Sequence, residues 1–283
     1  MVEKEDFGTK ETTWCPGCGN FAIRKALKQA LAELDLNPHE ILMFSGIGQA
    51  AKMPHYLNLN MFNGLHGRSL SNATGAKVAN DQLTVIDVSG DGCTYGEGGN
   101  HFLSTIRRNP DMTLLVHNNQ VYGLTKGQSS PTSEEDFSTK FQPHGVTASP
   151  FNPVAVAVAM HCSFVARSFA GFGDHLSEMI QKGIQHKGLA LIDILQPCVS
   201  FNRLNTFAWY KKRATELPED YDPTDHEAAT KTAQEWGDRI PIGVIYRNDR
   251  TVFSKRFPVL SHGPLIEQKM DRSALREIME SYY

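Results

Sequence analysis

TVIDVSGDGCTYGEGGNHFLSTIRRNPDMTLLVHNNQVYGLTKGQSS, Thr84 to Ser130, decides the fold. Two short apolar runs, Thr84 to Val88 and Met112 to Val116, flank a glycine-rich turn opening on Gly90-Asp91-Gly92 and an amphipathic stretch from Gly99 to Arg108. That is one βαβ unit, and such continuous apolar runs suit parallel strands buried on both faces. Open α/β sheets bind ligands at the carboxyl ends of these strands. Asp91 and Asn119 then share neighbouring loops, offering the carboxylate and amide oxygens an octahedral Mg²⁺ takes while it also holds phosphate oxygens and water. Gly90, Gly92, Gly96, Gly98 and Gly99 let backbone N–H groups approach those phosphates at a helix N-terminus.

Working outward, 283 residues with 40% apolar content bury a full α/β core. A net charge of -3 without any Lys/Arg run argues against nucleic acid as the main partner. No segment approaches the roughly 20 apolar residues of a membrane span. The start, MVEKEDFGTK, lacks the apolar region of a signal peptide, so a cytoplasmic location is expected. Five cysteines, two of them in Cys15-Pro16-Gly17-Cys18, read as metal ligands rather than a disulfide framework.

Before the βαβ unit, residues 1–13 read as a polar arm that wraps a partner or lies loose. Trp14 to Gly19 carries the cysteine pair, a periodic helix follows over Asn20 to Leu34, and Ile41 to Phe44 is a strand feeding Ser45-Gly46-Ile47-Gly48. His66-Gly67-Arg68 is a second glycine-punctuated turn, before a small-residue helix over Ser71 to Ala79. A thioredoxin-like pair should follow a strand, and a polar tail precedes this one. Structural zinc needs a second close Cys/His pair, and an iron–sulfur cluster needs four thiolates that the fold brings together. Beyond the unit come a helix over Val154 to His161, a strand over Phe164 to Arg167, a helix over Asp174 to Lys182 and a strand over Gly188 to Leu195 that ends beside Cys198. Weak strands near Ile240 to Tyr246 and a helical tail lie in residues 205–283, read as a C-terminal extension at a subunit interface; residues 1–204 form the diphosphate-binding domain.

Gly90-Asp91-Gly92 with Asn118-Asn119 after it, residues 93–117 between, resembles the signature of thiamine diphosphate enzymes. The resemblance implies Mg²⁺ on Asp91, Asn119 and the backbone carbonyl of Val121. Together with Trp14-Cys15-Pro16-Gly17-Cys18-Gly19, Ser45-Gly46-Ile47-Gly48, His66-Gly67-Arg68, Gly98-Gly99-Asn100-His101, Tyr122-Gly123-Leu124-Thr125-Lys126-Gly127-Gln128, Pro131-Thr132-Ser133, Phe164-Val165-Ala166-Arg167 and Cys198, the chain resembles the β subunit of the 2-oxoacid:ferredoxin oxidoreductases over residues 10–215. That resemblance implies a thiamine diphosphate-binding α/β fold, a mostly parallel central sheet flanked by helices. It also implies coenzyme A as co-substrate, a 4Fe–4S cluster, ferredoxin as electron acceptor, and an α subunit in an (αβ)₂ assembly that supplies the aminopyrimidine glutamate. Gly46, Ile47, Gly48, His66, Gly90, Gly92, Gly123 and Leu124 are the implied cofactor contacts. Cys15, Cys18 and Cys198 match the cluster ligands.

One departure stands out. The family pattern has a cluster cysteine directly after Ser-Gly-Ile-Gly, and this chain has Gln49. Cys93, at a strand's carboxyl end, is read as the fourth ligand in preference to Cys162, a core filler; Gln49, water or a three-ligand cluster are the alternatives. For the substrate, Lys126 is placed to pair the second carboxylate of 2-oxoglutarate, Lys52 to meet the near end, and His66 to contact phosphate or substrate; pyruvate is the runner-up. A cluster-free thiamine diphosphate carboligase and a zinc-stabilised binding module are the competing functions.

Overall fold

A computed structural model describes residues 1–269 and 272–283. The apolar runs form strands: β1 (Ile41–Ser45), β2 (Asn60–Asn63), β3 (Thr84–Gly90), β4 (Met112–Asn118), β5 (Val121–Tyr122), β6 (Gln128–Ser129), β7 (Phe164–Phe169), β8 (Leu189–Leu195), β9 (Ala214–Glu216) and β10 (Ile240–Arg247). The periodic stretches form helices: α1 (Gly19–Glu33), α2 (Ser69–Ala79), α3 (Gly99–Arg108), α4 (Pro153–Ala159), α5 (Gly173–Gln185), α6 (Phe207–Arg213), α7 (His226–Gln234) and α8 (Arg272–Glu280). Eight strands make one sheet in the order β2-β1-β3-β4-β8-β7-β10-β9, and β5 pairs with β6 in a separate ribbon. From β2 to β7 every neighbouring pair is parallel, whereas β10 runs antiparallel to β7. The thiamine diphosphate-enzyme fold class expected from sequence is the one observed, an α/β architecture with a mostly parallel sheet.

Burial explains which strands are central. β4 and β8 are buried at every position and lie mid-sheet, where both faces are covered. Alternate side chains serve opposite faces. Ile86, Val88, Leu115 and Ile192 meet Ile23, Leu27 and Leu31 of α1 and Met179 and Ile180 of α5. Val85, Leu114, Val116 and Leu191 meet Phe102 and Ile106 of α3, Val154 and Val158 of α4, and Ala229 of α7. Each such aliphatic side chain contributes about 1.5–3 kcal/mol on burial. Gly183 lets α5 lie close on the sheet, since a Cβ there would come within 2.8 Å of Ile192 Cδ1.

Two expectations change. The N-terminal arm is not loose. Phe7 is fully buried, its carbonyl accepts from the Asn58 amide at 3.0 Å, and Lys28 Nζ donates to the Gly8 carbonyl at 2.8 Å. The apolar Phe7 inside a polar stretch is what docks it. The weak strands near Ile240 form β10, which joins the central sheet beside β7, so the chain beyond residue 204 completes the sheet. Among the described residues no helix is long and apolar enough to cross a membrane.

Candidate active site

The chain leaves β1 toward β2 and leaves β3 toward β4, in opposite directions across the sheet. Such a reversal opens a crevice at the strands' carboxyl ends. Ile47 to Ala50 after β1, Gly90 to Cys93 after β3, and Asn119 with Val121 to Thr125 after β4 line it, and His66 closes one side. Gly67 adopts φ 70°, and a Cβ there would lie 2.5 Å from the Glu97 backbone, so this turn can only pack as glycine.

Asp91 is 1% exposed. Its carboxylate accepts from Ser130 Oγ at 2.5 Å, from Thr132 Oγ1 at 2.9 Å and weakly from the Asn119 amide at 3.4 Å. Burial pushes this carboxyl up to about 6, and the hydrogen bonds from Ser130, Thr132 and the Asn119 amide offset only part of the desolvation. Asn119 is held by Oδ1 accepting from the Val121 amide at 3.0 Å and by its carbonyl accepting from Asn202 Nδ2 at 3.2 Å. A buried carboxylate that makes no ion pair among the described residues, sharing a pocket with the Asn119 side chain, is a hard-oxygen donor set that fits Mg²⁺.

Asn118 has a different role from Asn119. Its Oδ1 accepts from Thr132 Oγ1 at 2.8 Å, while its Nδ2 donates to the buried Asp193 at 3.2 and 3.3 Å. Asp193 also accepts from Tyr95 Oη at 2.7 Å. This network braces the Asp91 loop against β8.

A second pocket adjoins the first. Cys15, Cys18 and Cys198 line it with Trp14, Asn20, Gln49, Gln196, Asn119 and Gly123. Trp14 anchors the cysteine turn: its indole N–H donates to the Gln49 carbonyl at 2.8 Å and its ring packs edge-on against Phe21 and Tyr56. Cys18 caps the start of α1, and the Gly19 amide donates to the Pro197 carbonyl at 3.2 Å, which brings the turn to the end of β8. Burial pushes the Cys18 thiol up to about 11, with Cys198 and Cys15 adding to the effect. Among the described residues no group of three or more His, Cys, Asp or Glu is close enough to hold a single ion. A cluster needs no such convergence, since each thiolate binds its own iron, and soft thiolates are its usual donors.

Cys93 is not brought to this pocket. β4 separates the β3 end from the β8 end, so Cys93 lies with the first pocket. Its sulfur accepts from the Gly67 amide at 3.2 Å and the Ile47 amide at 3.4 Å, and a Cβ on Gly46 would overlap it. Gln49 instead lines both pockets. Cys162 is fully buried among core side chains.

The three predicted catalytic side chains are spread out. His66 lies in the first pocket with Nδ1 3.4 Å from Glu97 Oε2, too poorly aligned for a hydrogen bond. Lys52 Nζ turns to Thr13 Oγ1 at 3.2 Å. Lys126 is exposed on the β5–β6 turn with φ 75°, one residue past the last pocket residue, Thr125. Neither Ser130 nor Thr132 is an expected site residue, although Thr132 falls in the Pro131-Thr132-Ser133 stretch that carries the resemblance; the polar run Ser129-Ser130-Pro131-Thr132-Ser133 is the signal that could have found them.

Residues 43–194 match the family model described as thiamine pyrophosphate enzyme, C-terminal TPP binding domain, and residues 198–262 match the model for the C-terminal part of the pyruvate ferredoxin oxidoreductase beta subunit. A 2-oxoacid:ferredoxin oxidoreductase β subunit of Aeropyrum pernix is 47% identical over 246 residues, covering 83% of this chain and 77% of the relative. The chain belongs to the 2-oxoacid:ferredoxin oxidoreductase β-subunit family. The 2-oxoglutarate synthase subunit KorB of Methanocaldococcus jannaschii is 35% identical to this β subunit over 188 residues, 66% of this chain and 70% of the relative. A solved 2-oxoglutarate:ferredoxin oxidoreductase from Magnetococcus marinus, with 2-oxoglutarate, coenzyme A and succinyl-CoA bound, superposes with a TM-score of 0.92 at 32% identity, covering 98% of this chain and 96% of that one. A β subunit implies an α partner.

Proposed function

We propose that this protein catalyses the coenzyme A-dependent oxidative decarboxylation of 2-oxoglutarate to succinyl-CoA and CO₂, with ferredoxin as acceptor, in a cytoplasmic (αβ)₂ enzyme. The observation that carries the reading is that the two pockets share Gln49, Asn119 and Gly123, so a cofactor in one and a cluster in the other are separated by a single layer of residues. Thiamine diphosphate supplies the electron sink for decarboxylation, and an iron–sulfur cluster accepts the electrons singly. Asp91, Asn119 and the Val121 carbonyl hold Mg²⁺; Gly46, Ile47, Gly48, Gly90, Gly92, Gly123 and Leu124 surround the cofactor; Cys15, Cys18 and Cys198 hold the cluster.

The chain's own residues do the positioning. Ser130 and Thr132 fix the Asp91 oxygens through hydrogen bonds. His66 lines the cofactor pocket near Glu97, where it contacts phosphate or substrate. Trp14 fixes the cysteine turn to the Gln49 carbonyl, and the arm residue Thr13 meets Lys52 beside it. Lys126 reads the distal carboxylate from its exposed turn.

The assignment to 2-oxoglutarate is supported by the names of the Methanocaldococcus and Magnetococcus relatives. A broader 2-oxoacid range that includes pyruvate is favoured by the more similar Aeropyrum relative, which is named for 2-oxoacids in general. Initial rates of the co-expressed pair on 2-oxoglutarate and pyruvate, with coenzyme A and a viologen acceptor, decide between them. A charge-assisted bond worth about 1.5–3 kcal/mol corresponds to a roughly ten- to hundredfold preference for 2-oxoglutarate, which Lys126→Ala should erase. Equal losses on both acids would remove Lys126 from substrate recognition.

A further inference from the structure

The second pocket offers three cysteine sulfurs, and the chain's other two cysteines are committed elsewhere. Cys93 sits against the Ile47 and Gly67 amides, and Cys162 points at the Phe164 and Leu189 carbonyls inside the core. A four-iron cluster in this pocket therefore needs a donor that is not a cysteine of this chain.

The polar walls of the pocket differ in what they have free. Asn20 Oδ1 lies 2.7 Å from His117 Nδ1, leaving only its Nδ2, which cannot ligate iron. Gln196 turns its Nε2 onto Cys18 Sγ at 3.4 Å and the Pro197 carbonyl at 3.3 Å, so its amide is already tied beside the cysteine, although its Oε1 is unpartnered. Gln49 Oε1 is buried, accepts no hydrogen bond, and belongs to the residue whose carbonyl is tied to Trp14, next to Cys15. Leaving a buried acceptor unsatisfied costs about 1–3 kcal/mol, so a carbonyl oxygen held this way is poised for a ligand.

Resting on the cluster assignment made above, we infer that Gln49 takes the fourth corner through its amide oxygen, leaving one iron without a thiolate. A neutral oxygen holds iron more weakly than a thiolate and leaves the cluster one negative charge short, which raises its potential. The unique iron is then the one lost on oxidation. A 4Fe–4S²⁺ cluster releases Fe²⁺ and one electron to become 3Fe–4S⁺, and ferricyanide, the added oxidant, takes that electron and becomes ferrocyanide. Ferrous iron with dithionite reverses the change.

The test uses the anaerobically purified complex of this chain with its partner, treated with one equivalent of ferricyanide and followed by EPR and iron analysis. The wild type should give a 3Fe–4S⁺ signal and lose roughly one iron in four. Gln49→Cys should suppress that signal about tenfold and lower the reduction potential; Gln49→Ala should still form it, which separates loss of the donor from loss of the fold. Wild-type protein that keeps all its iron as Gln49→Cys does overturns the inference. So does a response that changes in Gln196→Ala and is unaltered in Gln49→Cys. Protein without iron and sulfide at all would remove the cluster assignment itself.

Discussion

Thr132 Oγ1 lies 2.9 Å from the Asp91 carboxylate and 2.8 Å from Asn118 Oδ1, one hydroxyl between two acceptors. A single hydroxyl proton serves only one acceptor at a time. When Asp91 is ionised, Thr132 donates to it and leaves Asn118 weaker; when Asp91 is protonated, it donates to Thr132, which turns to Asn118. Thr132 thus couples the ionisation of the metal-site carboxylate to the Asn118–Asp193 brace.

Thr132→Val keeps the shape and removes that hydroxyl. The loss of a hydrogen bond to a charged group costs about 1.5–3 kcal/mol, so Mg²⁺-dependent thiamine diphosphate affinity should fall at least tenfold. Thr132→Ser should restore most of it. Titration calorimetry on the cofactor-free complex checks both.

Asp91 sets a pH limit. Its carboxyl is raised to about 6 in the metal-free fold, and a cation binds only the ionised form. Cofactor affinity should therefore be flat above about pH 6 and fall by up to tenfold per pH unit below it. Asp91→Asn should bind weakly with no such slope through this window. A slope that survives in Asp91→Asn would assign it to another group.

Asp87 is fully buried on β3, and no hydrogen bond of good geometry reaches either of its oxygens. The nearby Ser69 hydroxyl offsets only part of the desolvation, so burial pushes the carboxyl up to about 7. A raised acid binds more protons folded than unfolded, so stability drops as pH rises from the ordinary carboxylate value of 3.8 to about 7, and the penalty is complete above that. The penalty amounts to about 4 kcal/mol at most. Asp87→Asn should raise the melting temperature of the cofactor-free complex at pH 8 and do so less at pH 5. A gain independent of pH would contradict this linkage.

Much of the fold and site is legible in sequence because the informative residues are local. The β3-turn-α3-β4 unit shows itself through apolar runs and Gly90-Asp91-Gly92, and the cysteine turn through Cys15 and Cys18. Cys93 misleads because its position at a strand end is right for a ligand in one dimension; only the sheet order puts β4 between it and Cys198. β10 reads as weak because Pro241 and Gly243 interrupt its apolar run, yet tertiary pairing with β7 holds it. Phe7 gives too short a signal to show that the arm docks. Ser130 and Thr132 lie in a legible polar run, but that they reach Asp91 across residues 92–129 is decided by the fold.

Substrate chemistry in the Asp91 pocket should deliver electrons to the adjoining cysteine pocket, and everything proposed for this enzyme turns on that transfer. Mixing the anaerobic complex with 2-oxoglutarate and coenzyme A, without ferredoxin, and freezing for EPR tests it most directly. A reduced iron–sulfur signal is expected in the wild type and none in Asp91→Ala, whose dithionite-reducible cluster stays intact. Substrate-dependent reduction that persists in Asp91→Ala, or a wild-type cluster that 2-oxoglutarate and coenzyme A leave oxidised while succinyl-CoA forms, would contradict it.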